Sequence, residues 1–592
     1  MKQFFKYTLA TIVGLVVFTC VMGVIGIASI VGMIAASSGS EELSDNSVFV
    51  LPLKGKISER SDDGLLSQMG ASEELVVGLD DVLSSIKKAK DNDKIKGIYI
   101  EAGMFSAGDP ASAQAIRNQL RDFRGSGKWI VAYGDSYTQT AYYICSVADK
   151  VWLNPQGTIN WVGMASQPYF LKGLLEKLGI DIQLVKVGKY KSAPEMLTAD
   201  KMSDANREQV TAYLTGIWTN MVDEVAESRN ITPAQLNQYA DELISLSDAE
   251  TFVKSGMVDS LIYTTSVKQE LKRLLGTGEK EELRKAYITD LKGISDPLAS
   301  GDEIAVYYAY GNIVDSRAGG LLDKEACIDA QKVVKDLEKL KDDKNVKAVV
   351  IRVNSGGGSA YASEQIWKAV TDLKEKKPVV VSMGGYAASG GYYISCNANE
   401  IFAEPTSITG SIGIFGMFPD VSKLLKDKLS LKFDVVKTNK FSDFGTPSRP
   451  FNSEETAYLE AYIDRGYELF RRRVADGRSM SVDSVEVIAQ GRVWLATDAH
   501  EIGLVDSLGG LDDAIARAAE LASSESWHTV AYPQKPSWVD QLLDEVVGFN
   551  GDYANMRVHS ALGEMYSPIM LLLESRHISP IQALMPERIE MK

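Results

Sequence analysis

The longest apolar stretch of the chain stands at its start. Lys2 and Lys6 precede an uncharged run over 7–40 that is rich in Val, Ile and Leu. A bilayer span needs ~20 such residues, so the run predicts a membrane-spanning helix. A cleaved secretory signal would have an apolar core of only ~7–15 residues. Positive charge before the run and Glu41, Glu42 and Asp45 after it predict a cytoplasmic N-terminus, with the bulk of the chain beyond the membrane. No later segment is long and apolar enough to span.

Beyond this run the pattern alternates. Short β-branched runs at 348–353, 379–382 and 400–403 read as buried strands. Between them lie stretches such as 362–377, with apolar residues at helical spacing and a charged opposite face. Strand–helix–strand alternation predicts α/β architecture with parallel sheets and crossover helices. The alternation occurs twice. Lys96-Gly-Ile-Tyr-Ile100 matches Lys347-Ala-Val-Val-Ile351, Ala141-Tyr-Tyr-Ile144 matches Gly391-Tyr-Tyr-Ile394, and Gly256-Met-Val-Asp-Ser-Leu261 matches Gly503-Leu-Val-Asp-Ser-Leu508. Markers in one order at one near-constant offset of about 250 residues indicate tandem domains. The expected organisation is an anchor and linker over 1–45, a first α/β repeat over 46–300, a second over 301–525, and a helical tail over 526–592. In the tail, 539–547 and 569–573 carry apolar residues at near-helical spacing.

Composition narrows the function. Sixty-three basic and 79 acidic residues give a net charge of −16, a poor match to a nucleic-acid backbone. The four cysteines, Cys20, Cys145, Cys327 and Cys396, lack metal or disulfide-framework spacing. Only four histidines occur, all after residue 499. The pattern calls for no metal and no cofactor, and it disfavours a histidine-based triad.

The candidate chemistry lies in three small-residue segments of the second repeat. Asn354-Ser-Gly-Gly-Gly-Ser359 follows a strand. Its glycines let backbone N–H groups converge as an oxyanion requires, although such loops also cradle phosphates or simply turn. Gly384-Gly-Tyr-Ala-Ala-Ser389-Gly-Gly-Tyr-Tyr393 either packs backbone tightly at a crossover or exposes a serine at a strand-to-helix turn, with the Gly390 N–H where a negative oxygen would form. Thr409-Gly-Ser411 offers a hydroxyl that could bond a base. A serine needs a base to take its proton, and a lysine serves when burial lowers its pKa. Lys186, Lys189 and Lys191 of the first repeat are all candidates by spacing. At the repeat offset Ser389 falls opposite Gln139, and Lys191 opposite Ser442. One composite site per chain, with a member from each repeat, is the expectation.

Asn354–Ser359, Tyr386-Ala-Ala-Ser-Gly-Gly391, Thr409–Gly416, Gly491-Arg-Val-Trp494 and Tyr190-Lys-Ser-Ala193 together resemble the signal peptide peptidase A (protease IV) family, in its long form. The resemblance runs from the anchor to about residue 525. It implies the Clp-protease/crotonase fold and a Ser–Lys dyad, with Ser389 as nucleophile and Lys191 as general base. It also implies that Ser411 orients the lysine and that Gly357, Gly358 and Gly390 donate to the oxyanion. The implied substrates are cleaved signal peptides and other apolar peptides. The implied setting is the bacterial inner membrane, with a single-pass anchor, a periplasmic catalytic region and a homotetramer. One departure stands out: the family's Asn-Ser-Pro-Gly-Gly carries Gly356 in place of proline here, which removes a fixed φ from the loop. A membrane-protein quality-control protease, a crotonase-like acyl-CoA enzyme and an anchored scaffold with a relict site are the alternatives.

Overall fold

The computed structural model describes residues 43–61, 76–294, 301–316, 326–535 and 580–585, with scattered positions between 6 and 22. The anchor expected over 7–40 falls largely outside these residues. Among the described residues no helix is long and apolar enough to cross a membrane.

The first half builds a parallel sheet from β1 (Ser47–Ser58), β2 (Ile95–Ser106), β3 (Trp129–Gly134) and β4 (Lys150–Leu153), in the order β1-β2-β3-β4. Helix α1 (Pro110–Arg124) connects β2 to β3, and α2 (Gln139–Cys145) connects β3 to β4. Asp109 caps α1 by accepting from the Ser112 N–H, with Pro110 in the first turn. Proline is suited to that position because its missing N–H would be unpaired there in any case. A further strand, β5 (Asp181–Lys186), precedes the long helix α3 (Asp204–Arg229), whose cap is Ser203.

The second half repeats the plan. Its strands are β6 (Asp302–Tyr310), β7 (Asn312–Val314), β8 (Cys327–Asp329), β9 (Val346–Ser355), β10 (Gly357–Ser359), β11 (Val379–Ala388), β12 (Glu400–Ala403), β13 (Ile408–Gly410), β14 (Phe415–Asp420) and β15 (Val493–Leu495). Its helices include α4 (Ala360–Lys374), α5 (Gly390–Ser395) and α6 (Ser453–Arg478). Helices α1 and α4 are both 15 residues long, and α3 and α6 both 26. Val349, Val350, Ile351 and Val353 of β9 are buried. Each such side chain contributes roughly 1.5–3 kcal/mol, which is why this run forms a central strand and not an edge.

Among the described residues after 525, two segments are strands where a helical tail is expected. β16 (Trp527–Tyr532) pairs in parallel with β6 and extends the second sheet, which runs β15-β13-β11-β9-β6-β16. β17 (Ile581–Leu584) is also a strand. Aromatic and β-branched residues in Trp-His-Thr-Val-Ala-Tyr and an available edge on β6 favour a strand over a helix. The apolar stretches at 539–547 and 569–573 lie outside the described residues.

The halves interlock. A third sheet runs β8-β7-β10-β17-β14-β5, so a first-half strand pairs antiparallel with β14 of the second half from Lys186↔Phe415 to Asp181↔Asp420. The first-half core also takes in Tyr386, Ala388, Ile408, Val493 and Leu495 of the second half.

Candidate active site

Strand β11 is buried along its whole length and delivers Ser389 at its end. Ser389 has φ +55° and ψ −112°, a conformation that costs a non-glycine residue of order 1–3 kcal/mol. Two hydrogen bonds hold it there. Its N–H donates to the Gly410 carbonyl at 2.8 Å, and the Tyr393 N–H donates to the Ser389 carbonyl at 2.8 Å. A serine at a helix N-cap normally turns its hydroxyl onto the helix's own amides. Ser389 makes no such bond, and its Oγ meets Lys191 instead, 2.7 Å from Nζ.

Lys191 comes from the loop after β5. The Tyr190 N–H donates to the Gln490 carbonyl, and Gln209 of α3 donates to the Tyr190 carbonyl and Ser192 Oγ while accepting from the Val493 N–H. The loop is thereby fastened to β15. Gly491 explains its motif: it has φ +77°, and a Cβ there would lie 2.7 Å from the Lys191 nitrogen and 2.8 Å from its Cα. Lys191 is fully buried. Burial holds its ammonium well below the ordinary lysine pKa, because a desolvated charge is penalised. Nζ also donates to the Ser411 carbonyl and to Ser411 Oγ, both at 3.1 Å. The structure therefore brings Lys191, Ser389 and Ser411 together. Lys186 Nζ turns back to the Lys191 carbonyl, and Lys189 lies over the Tyr190 ring.

The glycines divide. A Cβ on Gly357 would lie 2.8 Å from the Gly390 nitrogen, so these two backbones meet beside Ser389. The Gly357 N–H donates to Ser355 Oγ at 3.1 Å. Gly358 lies one residue further along β10, in register with Ile313 and Ala583. In the first half, the position opposite Ser389 is filled by Gln139, whose amide bonds the backbone of Val162 and Gly163. Ser442, opposite Lys191, is exposed and accepts from the Asn439 N–H.

Sequence reasoning missed a set of buried polar residues behind the glycine loop. Asn354 Nδ2 donates to Glu59 Oε1 at 2.8 Å and to Asp109 Oδ2 at 3.3 Å, while its Oδ1 accepts from the Tyr386 N–H. Arg352 pairs with Glu59 at 3.1 Å, both side chains buried. Gly384 and Gly385 leave room for the two carboxylates. The first half thus supports both the lysine and the loop in front of it. The only signal in the sequence was Asp109-Pro110, which reads as a helix start.

A buried amine in contact with a serine hydroxyl, on parallel sheets with crossover helices, suits a hydrolase of the serine class. Residues 122–277 and 371–525 match peptidase family S49, and residues 301–408 match the Clp protease family. The chain is 37% identical over 475 residues to "Protease 4" of Salmonella typhi, covering 79% of this chain and 76% of that protein. It is 34% identical to "Protease 4" of Haemophilus influenzae, covering 83% and 82%. It is 32% identical to "Serine protease SPPA, chloroplastic" of Arabidopsis thaliana, covering 81% and 69%. The chain belongs to peptidase family S49, with two S49 units in tandem on a Clp-protease-like α/β fold, and it is a serine peptidase.

Proposed function

We propose that Ser389 is the nucleophile and Lys191 its general base, and that the site hydrolyses apolar peptides, among them signal peptides left in a membrane after secretion. The observation that carries this reading is the 2.7 Å approach of a fully buried amine to the serine hydroxyl. Two N–H groups of a neutral Lys191 are taken by the Ser411 oxygens. Its lone pair is left for the Ser389 proton.

The hydroxyl oxygen adds to the peptide carbonyl as Lys191 takes its proton. The Gly390 N–H, at the start of α5, faces the developing oxyanion, with the backbone of Gly357 and Gly358 beside it. The tetrahedral species then expels the amine, which takes the proton from Lys191, and leaves an acyl group on Ser389. Water, giving its proton to Lys191, releases the acid and regenerates the hydroxyl. The membrane anchor over 7–40, the periplasmic placement and a homotetramer belong to the same reading. They rest on the charge and hydropathy of the N-terminus and on the family resemblance.

The test is turnover of an apolar fluorogenic peptide by Ser389→Ala and Lys191→Ala. Each falls by about 10³-fold or more, as expected for members of one catalytic unit. Undiminished turnover in either variant rejects the assignment.

A further inference from the structure

Arg492 stands immediately before β15, between Gly491, which makes room for Lys191, and Val493, which donates to Gln209. Its side chain reaches across to the first half. The guanidinium carbon lies 4.9 Å from the centre of the Tyr190 ring and 4.4 Å from the centre of the Trp494 ring. Nη1 donates to Tyr190 Oη at 3.1 Å and to Glu208 Oε1 of α3 at 2.8 Å. Tyr190 Oη in turn lies 3.2 and 3.1 Å from the two Glu208 oxygens, which accept its proton. The Trp494 indole is fixed by its own bond to the Ile488 carbonyl, at 2.9 Å.

Tyr190 is thereby held at every polar atom. Its N–H bonds Gln490, its carbonyl bonds Gln209, and its hydroxyl lies between Arg492 and Glu208. The next residue along the chain is Lys191. Arg492 also acts through its backbone, since its carbonyl accepts from the Ser411 N–H at 2.6 Å. Ser411 supplies the two oxygens that receive Lys191 Nζ. One residue therefore fixes both the chain neighbour of Lys191 and the residue that orients its amine.

Stability is a weak reason for this arrangement. Tyr190, Arg492 and Trp494 are half-buried and Glu208 is exposed, and an ion pair that wet adds little to folding. A planar, forked cation can lie over aromatic rings while it donates at its edge, which a lysine ammonium cannot do. Lys189 also approaches the Tyr190 ring, but as the preceding residue it fastens the loop only to itself.

We propose that Arg492 is a positioning residue for the catalytic base: its guanidinium clasps Tyr190 so that Lys191 Nζ stays aimed at Ser389 and shut away from water. This rests on the reading of Lys191 as the base. Without the clasp the loop loosens, and the amine loses its line to the Ser389 hydroxyl. Water that reaches it then returns its ionisation toward the ordinary lysine value of 10.5.

Two variants test it. Arg492→Lys keeps the charge without the planar fork, and Arg492→Ala removes both. Each is assayed beside the parent for kcat and KM on an apolar fluorogenic peptide across about pH 6 to 9, with far-ultraviolet circular dichroism as the check on folding. In both variants kcat at neutral pH is expected to fall about 10-fold or more, with KM within about twofold of the parent. The rise of kcat/KM with pH is expected to move to higher pH. Should the alanine variant not fold, the lysine variant carries the same readouts. Parental kcat in a folded variant, a change confined to KM, or a lowered kcat with the parent's pH profile overturns the proposal. Parental turnover by Lys191→Met would instead reject the base on which it rests.

Discussion

At the scale of single residues, the proposed chemistry depends on an amine kept neutral by its surroundings. Lys191 is buried, and burial lowers its pKa. In the unfolded chain the same lysine binds a proton up to its ordinary 10.5. Between the lowered value and 10.5 the unfolded state holds more protons, so this group's contribution to stability becomes more favourable as pH rises. Replacing Lys191 with Met, of similar reach but without charge, is therefore expected to raise Tm at neutral pH while abolishing peptide turnover. Calorimetry and a peptide assay on the same preparation check both halves of that expectation. Activity of the unmodified enzyme is expected to rise toward alkaline pH as the neutral amine accumulates, and a flat profile between about pH 6 and 9 would count against a lysine base. The sequence led to the serine more readily than to the lysine. Ser389 announces itself by small residues at a strand-to-helix turn. Lys186, Lys189 and Lys191 are separated only by which of them the loop turns inward, and that depends on Gln209 and Gly491, both distant in sequence.

At the scale of elements, the site depends on two supports that cross from one half to the other. The first is the lysine loop. Gly491→Ala puts a methyl group against the Lys191 backbone at a positive φ. It is expected to reduce kcat at least 10²-fold through a displaced base, with the far-ultraviolet circular dichroism of the parent. The second support lies under the glycine loop. Arg352→Met leaves Glu59 and Asp109 buried without their cation. It is expected to cost about 3–5 kcal/mol in chemical denaturation. The β9, β11 and β12 strands were legible as β-branched runs. The carboxylates of Glu59 and Asp109 were not, because a buried polar residue has no periodicity of its own and is recognised only by its partners.

At the scale of the whole molecule, the proposed site takes one member from each copy of the duplication. The repeat offset seen in the sequence reappears in matched helices, α1 with α4 and α3 with α6. The pairing of β5 with β14 was not legible, since each run reads equally well as an edge strand of its own half. Nor was β17, a four-residue strand defined by the edges that receive it. The junction between halves also carries a titrating group. Glu404 accepts from Asn118 of the first half at 3.2 Å, and burial pushes its pKa from 4.5 up to about 7, against the opposing pull of Arg352. The folded state therefore holds a proton that the unfolded state has lost between those values, and stability falls as pH rises through that window. Glu404→Gln is expected to lose less stability than the parent between about pH 5 and 8, as measured by Tm at each pH.

The most direct measurement is the rate at which a serine-reactive phosphonate modifies Ser389, followed by mass spectrometry across pH in the unmodified chain and in Lys191→Met. A lysine base predicts a rate that climbs through one ionisation below 10.5 and collapses in Lys191→Met. Equal rates in the two chains at every pH would contradict the claim that a residue of the first half activates the serine of the second.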